Sequence, residues 1–202
     1  MVYHPEFAEQ SGTRRKSLTQ SIDIMPTIME LHDHTIPEDV SGKSLIPLLA
    51  EDSPVRSTAM FGYFGAACNI TDGTHVYHRY PENLSADGLY EYTLMPTRMT
   101  SRFPISDLVG ATLTDPFKFT KGAPVMKLKP RTNEEGNPVE CQGMSFDNTK
   151  TQLYNLDTDP KQENPITNPE IEAKLVAEMI HHMKCADAPA EMYARFNLEL
   201  DN

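Results

Sequence analysis

The sequence predicts an α+β fold built from two parts of different character. Residues 17–49 run in the order strand, helix, loop and second helix, which is the order that closes an α/β sheet. From Arg56 onward the pattern changes to short alternating segments, with Asp72-Gly73 as a tight-hairpin signal. We therefore expect residues 1–55 to be the last strand-helix unit of an α/β domain. Residues 56–202 are expected to form a small antiparallel sheet packed with a C-terminal helix.

The first part is expected to contain two strands, Met1–Pro5 and Leu18–Ile22, and two helices. Asp23 directly precedes a helical pattern, where a carboxylate can accept hydrogen bonds from the free N–H groups of the first turn. Capping is therefore the preferred interpretation of Asp23, ahead of a catalytic or metal-binding role. The apolar residues of this pattern recur at helical spacing and predict a buried stripe. The stripe consists of Ile24, Ile28 and Leu31.

The second part is expected to begin with strands. Ala59–Phe64 is rich in apolar and aromatic residues, and the segments Ala66–Ile70 and Thr74–Tyr80 flank the predicted hairpin turn. Gln152–Leu156 is expected to be a strand at the edge of a sheet. Together these segments predict a small sheet that is formed by sequence neighbours and closed by one distant strand.

The strongest helix prediction lies near the end of the chain. Asn168 is the predicted N-cap and Pro169 the first helical residue, and an apolar stripe continues to Cys185. Such a stripe usually packs on a sheet rather than binding a cofactor. Asp187 is the predicted cap of a second, shorter helix that extends through Phe196.

Composition and charge limit the classes of partner. The 202 residues carry a formal net charge of −11, which argues against nucleic acid and anionic membranes as partners. No apolar run reaches the length of a membrane span, and the first residues lack the pattern of a signal peptide. Three cysteines without a Cys-x-x-Cys spacing favour free thiols in a reducing compartment, so a cytoplasmic location is expected.

Three sequence motifs, taken in their order along the chain, resemble those of a known protein family. The first is Ser21–Ile28 followed by Val40–Leu45, the second is Gln152–Asn164, and the third is Asp187–Glu191 with Arg195 shortly after it. This set resembles the C-terminal portion of the sulfatase family, in the alkaline phosphatase superfamily. The resemblance implies that residues 1–55 are the C-terminal remnant of an α/β catalytic domain and that the rest is the subdomain that follows.

The resemblance does not bring an active site with it. Sulfatases carry a Cys/Ser-x-Pro/Ala-x-Arg segment whose first residue becomes formylglycine, and none of Cys68, Cys141 and Cys185 is followed by that pattern. No catalytic or metal-binding residue is therefore carried over to this chain. A divalent cation (calcium or magnesium) and formylglycine are expected only in a complete parent enzyme. There the C-terminal subdomain would supply part of the pocket wall for a sulfated small molecule or glycan.

The best candidate for substrate binding is one face of the second hairpin strand. His75, Tyr77 and Arg79 alternate along that strand, so their side chains share a face, and a histidine with an arginine on a rigid hairpin can meet an anion. Ordinary solvent-facing strand residues are the simpler interpretation. His32-Asp33-His34 is expected to be a solvated loop. Asn155, Asp157 and Asp159 begin like a calcium loop but lack its later glycine and glutamate.

Three hypotheses follow. The chain is the C-terminal part of a sulfatase-like hydrolase, a stand-alone non-catalytic binding or scaffold module of the same fold, or an independent hydrolase with an unrecognised site. Burial of the Met1–Pro5 strand and of the Asp23 helix discriminates the first two. In the first case their apolar faces would lack a partner and would be exposed, or would be covered by an N-terminal catalytic half or by self-association through a sheet edge. A self-sufficient module would cover those faces itself.

Overall fold

The computed structural model describes residues 4–97, 101–139 and 149–199. Its α-helices are α1 (Ile24–Leu31), α2 (Ile46–Glu51), α3 (Pro169–Cys185) and α4 (Ala190–Arg195). Its strands are β1 (Ala59–Tyr63), β2 (Ala67–Thr71), β3 (His75–Arg79), β4 (Glu91–Thr93), β5 (Thr112–Thr114), β6 (Val125–Leu128) and β7 (Gln152–Asn155). Short 3-10 helices cover Pro5–Gln10, Ser21–Asp23, Ile105–Leu108 and Lys118–Thr120.

The strands form two sheets, and the fold is α+β as predicted. One sheet has four strands in the order β1-β2-β3-β7, so the predicted final strand does lie at an edge. The other has three strands in the order β4-β6-β5, and both of its pairings are antiparallel. Tyr92 lies opposite Lys127 in the register of β4 and β6.

The predicted hairpin is confirmed, and its turn chemistry explains it. The Asp72 carboxylate accepts hydrogen bonds from the backbone N–H groups of Thr74 at 3.0 Å and His75 at 2.6 Å. Gly73 has a φ of 92°, which a glycine adopts without a steric penalty. Local side-chain and backbone preferences therefore close β2 onto β3.

The long helix is also confirmed. The Asn168 side chain accepts from the N–H of Ile171 at 3.2 Å, and Pro169 begins α3. Of the predicted stripe, Leu175, Met179 and Met183 are buried. The predicted cap of the shorter helix is wrong, because α4 begins after Pro189 and has no side-chain cap. Asp187 instead accepts a hydrogen bond from the N–H of Lys118 at 2.6 Å.

The predicted strand Leu18–Ile22 is wrong. Ser21–Asp23 is a 3-10 turn, because the Asp23 carboxylate accepts from the backbone N–H of Gln20 at 2.7 Å and the Asp23 N–H donates to the Gln20 carbonyl at 3.0 Å. These local bonds compete with an extended conformation. For the other predicted strand, Met1–Tyr3 lie outside the described residues, and Pro5 begins a 3-10 helix instead.

The apolar stripe predicted to bury α1 is wrong as well. Ile24 is 56% exposed and Ile28 is 52% exposed, whereas Pro26 and Thr27 are the buried residues of the helix. The Thr27 hydroxyl donates to the carbonyl of Asp23 at 2.6 Å and accepts from the N–H of Leu45 at 2.9 Å. These two bonds turn the threonine side of α1 inward and leave its isoleucines in solvent.

Two compact units divide the described chain. The first contains residues 1–60, 70–76 and 153–167, and the second contains residues 61–69, 77–152 and 168–202. The first buries Leu48, Ile70, Val76 and Leu153, and the second buries Leu89, Leu128, Leu175, Met179 and Phe196. The predicted domain boundary at residue 55 stays a prediction.

Candidate functional site

The first motif is centred on a buried carboxylate in the first unit. Asp23 has no solvent exposure, and it accepts from the N–H groups of Gln20 at 2.7 Å and Lys43 at 2.9 Å. The Arg56 guanidinium completes the set, since it donates to Asp23 and also to the side-chain oxygen of Gln20. Asp23 thus precedes α1 as predicted, but its side chain bonds the nearby Gln20 and the distant Lys43 and Arg56 instead of capping that helix.

The Arg56 side chain is almost as buried as its partner, with 9% of its surface exposed. Within the described residues its Nε has no hydrogen-bond partner. A buried guanidinium is tolerated only beside a compensating anion, which Asp23 supplies. The arrangement is that of a structural ion pair, since the carboxylate has no open approach to a substrate.

Two of the three predicted substrate-binding residues meet in the second unit. The Arg79 Nη1 donates to the Tyr77 hydroxyl at 3.0 Å. Its Nε and Nη2 donate to the carbonyls of Phe196 and Asn197, both at 2.8 Å. Tyr77 is buried. Arg79 therefore binds the backbone carbonyls of the two residues that follow α4. Substrate binding by Arg79 stays a prediction.

The third predicted residue, His75, makes its contact within the first unit. Its Nδ1 lies 3.4 Å from the Asp72 carboxylate that forms the hairpin turn. Desolvation alone would raise the pKa of Asp72, but the N–H groups of His75 and Thr74 and the imidazole lower it on balance. His75 thus supports the turn, and a substrate role for it remains untested.

The second motif forms a turn that its own side chains stabilise. The Asn155 side chain accepts from the N–H of Asp157 at 2.9 Å, and the Asp159 carboxylate accepts from the N–H of Asn164 at 2.8 Å. The N–H of Asp159 also donates to the Asn155 carbonyl at 2.8 Å. These oxygens satisfy backbone donors, which is why this residue pattern occurs here without a calcium-loop sequence.

The third motif anchors the C-terminal segment within the second unit. Arg195 donates to the carbonyls of Gly65 at 3.2 Å and Ser85 at 2.8 Å. Asp187 forms an ion pair with Lys118 at 3.0 Å. The carboxylate of Glu191 accepts from the Tyr92 hydroxyl and from the Lys127 ammonium, the latter at 3.0 Å.

Glu191, Tyr92 and Lys127 form a hydrogen-bonded charge cluster in the second unit. The Lys127 ammonium also lies 3.9 Å from the ring centroid of Tyr90. Hydrogen bonds to Tyr92 and Glu191 raise the pKa of Lys127. Desolvation would raise the pKa of Glu191, but the bonds from Tyr92 and Lys127 lower it on balance, so the carboxylate stays ionised at neutral pH.

The remaining candidate ligands are dispersed. His32, Asp33 and His34 are exposed in the loop after α1, as expected. The His181 imidazole lies 3.7 Å from the Cys185 sulfur on α3. Burial raises the pKa of the Cys68 thiol to about 11, although the nearby Arg79 opposes the shift. Cys141 lies outside the described residues. Within the described ranges, no three histidine, cysteine or acidic residues cluster as a metal site would require.

Local spacing in the sequence does not identify the residues that complete these clusters. Arg56 and Lys127 reach their carboxylates across 33 and 64 positions of sequence, so no local spacing signals either pair. The one signal in the sequence is that Tyr92 and Lys127 each lie in a strand, β4 and β6, that presents alternate side chains on the same face. Among the described residues, no helix is long and apolar enough to cross a membrane.

Several solved structures match the chain, and two of them are sulfatase-related proteins. One was solved in complex with its substrate D-glucosamine-2-N,6-O-disulfate. Its sequence is 13% identical and the TM-score is 0.45; the match covers 84% of this chain and 25% of that chain. The other comes from work on the metabolism of multiple glycosaminoglycans by Bacteroides thetaiotaomicron. Its sequence is 17% identical and the TM-score is 0.46; the match covers 87% of this chain and 28% of that chain. No family model matches the chain, and no curated protein matches it significantly.

The chain spans about a quarter of the length of these two structures. Likeness at this TM-score does not by itself establish a shared fold.

Proposed function

We propose that the chain is the C-terminal part of a sulfatase-like hydrolase. In the complete enzyme, which hydrolyses a sulfuric ester, this part completes the fold and supplies a wall of the substrate pocket. The nucleophile and metal ligands belong to an N-terminal catalytic part. In this proposal the formylglycine, the calcium or magnesium ion and the sulfated substrate are properties of the complete enzyme.

The contacts of the three motifs support this role. Asp23 ties together the loop before α1, the loop before α2 and Arg56, Asn155 shapes the turn after β7, and Arg195 binds two loop carbonyls. These three residues are thus used to hold other parts of the fold in place. Such contacts are what a non-catalytic, fold-completing segment needs.

The observation that carries the proposal is the exposed apolar face of α1. Its members lie at the start of the helix and on its outer side, and each is about half exposed. They are Ile22, Ile24, Met25 and Ile28. Covering the exposed half of four such side chains would contribute roughly 3–6 kcal/mol, so a partner surface is expected there. The preceding catalytic part of the same polypeptide is the proposed partner.

One pair of substitutions tests this assignment, because its effect differs between the two contexts. Ile24→Gln with Ile28→Gln is expected to cost the isolated chain about 1.5–3 kcal/mol, because nearly half of each side chain is already buried there. In a longer product that includes the catalytic part, the same pair is expected to cost about twice as much, because the exposed halves are then buried as well. Urea unfolding measures both. Ile105→Gln, at an 86% exposed isoleucine, is the matched control.

The longer product is defined by the coding sequence upstream of Met1. A Cys/Ser-x-Pro-x-Arg segment in that sequence would supply the nucleophile that this chain lacks. Equal effects of the α1 substitutions in both products would contradict the proposal, because the face would then be uncovered in both.

Catalysis gives a second test. The 202-residue chain is expected to hydrolyse no para-nitrophenyl sulfate, whereas the longer product is expected to do so in a chelator-sensitive manner. Chelator-sensitive turnover by the 202-residue chain alone would place a complete active site within it. Self-association through an exposed sheet edge stays a secondary prediction, which sedimentation of the isolated chain would measure.

A further inference from the structure

A cleft in the first unit has the size and lining of a small-molecule site. Its volume is about 540 Å³, within the usual range for ligand pockets. It lies between the loop that follows the 3-10 helix Pro5–Gln10 and the helix α2. Leu45, Leu48 and Leu49 form its apolar side, and hydroxyl groups of the loop form its polar side.

The charged side chains that line the cleft, those of Arg14 and Arg15, are both basic, and His4 lines it as well. None of the described residues that line it is acidic, although the chain carries a formal net charge of −11. The Asp52 carboxylate lies beside the lining, where it accepts from the N–H of Ser17 at 3.4 Å; the N–H of Lys16 and, to a smaller extent, the charge of Arg15 lower its pKa. A concave surface lined by two guanidinium groups and no carboxylate favours an anionic ligand.

Arg15 is held in place by the polypeptide itself. Its Nη2 donates to the carbonyl of Leu49 at 2.7 Å, to that of Ala50 at 3.3 Å and to the side chain of Gln10 at 3.2 Å. Among the described residues, its Nη1 and Nε have no hydrogen-bond partner. A guanidinium fixed on one side, with donors open on the other, loses little freedom when it binds an oxyanion.

Arg14 provides a second guanidinium at the rim. It is exposed, and it makes no hydrogen bond or ion pair with the described residues. The hydroxyl groups of Ser11 and Thr19 also line the cleft and can donate to an oxygen ligand. Two guanidinium groups and two hydroxyl groups beside an apolar wall match a tetrahedral oxyanion on a small organic body.

We propose that this cleft binds a small sulfate or phosphate monoester. The oxyanion lies against Arg14 and Arg15, and the organic part packs on Leu45, Leu48 and Leu49. This site does not depend on the function proposed above, because all of its residues belong to the first unit of this chain.

Calorimetric titration of the 202-residue chain tests the site with three probes. Para-nitrophenyl sulfate and para-nitrophenyl phosphate carry the oxyanion on the same ring, and para-nitroanisole is the uncharged analogue. Saturable binding of either ester, weakened by added salt and absent for para-nitroanisole, is the expected result. A preference between the two esters identifies the natural source of the oxyanion.

Variants localise the binding. Arg14→Gln is expected to weaken ester binding by about threefold to tenfold, as for a charge-assisted hydrogen bond at a solvated site. Lys161→Gln removes the same charge from an exposed position outside the cleft and is expected to leave affinity unchanged. Arg15→Gln should weaken binding further, but Arg14→Gln suffices if Arg15→Gln fails to fold.

Chemical modification gives an independent readout. Phenylglyoxal reacts with arginine side chains, and mass spectrometry of the digested chain reports each site separately. The esters are expected to slow modification of Arg14 but not that of Arg131. Four results would each overturn the proposal: no saturation by about 10 mM ester, equal binding of para-nitroanisole, unchanged affinity in Arg14→Gln, or no protection of Arg14 by the esters in the unaltered chain.

Discussion

Replacement of Asp23 by asparagine tests whether the first motif acts through a buried ion pair. The substitution keeps the size of the side chain and removes its charge. In the unaltered chain the carboxylate accepts from two backbone N–H groups and from Arg56. Asparagine has one acceptor oxygen, and its NH₂ group would face at least one of those donors.

The size of the expected loss of stability follows from the unpaired Arg56 charge that Asp23→Asn leaves buried. The Arg56 side chain is 9% exposed and its Nε has no partner among the described residues, so the charge cannot be rehydrated without moving the chain. Breaking a buried pair by removing one partner costs about 3–5 kcal/mol. This is a large share of the roughly 5–15 kcal/mol that stabilises an ordinary domain.

Urea unfolding of four proteins measures the effect: the unaltered chain, Asp23→Asn, Arg56→Met and the double variant. Each single change is expected to be strongly destabilising. The double variant is expected to lose less than the sum, by about 0.5–3 kcal/mol, because it buries no unpaired charge. Asp33→Asn, at an exposed position in the loop after α1, is the matched control. A loss for Asp23→Asn no larger than that of Asp33→Asn would refute the reasoning.

Two further predictions concern titratable groups of the second unit. In a Cys141→Ser variant at pH 8, iodoacetamide is expected to alkylate the exposed Cys185 much faster than Cys68. The reason is that a pKa of about 11 leaves only about one Cys68 thiol in a thousand ionised. Mass spectrometry measures both alkylation rates, and equal rates would show that Cys68 is not shielded. The lowered pKa of Glu191 means that its stabilising contribution is present above the ordinary value of 4.5 and is lost as pH falls through the lowered value. Glu191→Gln is therefore expected to destabilise the chain more at pH 7 than at pH 3, and a penalty independent of pH would count against the ionised cluster.

The sequence was informative wherever hydrogen bonds link near neighbours. The hairpin turn rests on Asp72, which bonds backbone groups two and three residues away. The start of α3 rests on Asn168, which bonds the N–H three residues on. The same rule explains an error: the reciprocal bonds of Gln20 and Asp23 are equally local, and they bend the segment that apolar residues suggested was a strand.

The roles of the candidate residues were less predictable, because their partners come from far along the chain. Alternation placed His75, Tyr77 and Arg79 on one strand. It gave no sign that Arg79 would bind carbonyls 117 and 118 positions away. Likewise, the spacing of Ile24 and Ile28 defined an apolar face correctly but did not reveal whether that face is covered.

The sequence by itself determined the α+β class, the hairpin, the two C-terminal helices and the absence of a sulfatase nucleophile segment from this chain. Each depends on residue identity and short-range bonding. Only the tertiary structure decided that Asp23 is the buried partner of Arg56, that the isoleucines of α1 face solvent, and that Arg14 and Arg15 line one cleft. Burial and charge pairing depend on which distant segments meet, and no local pattern encodes that choice.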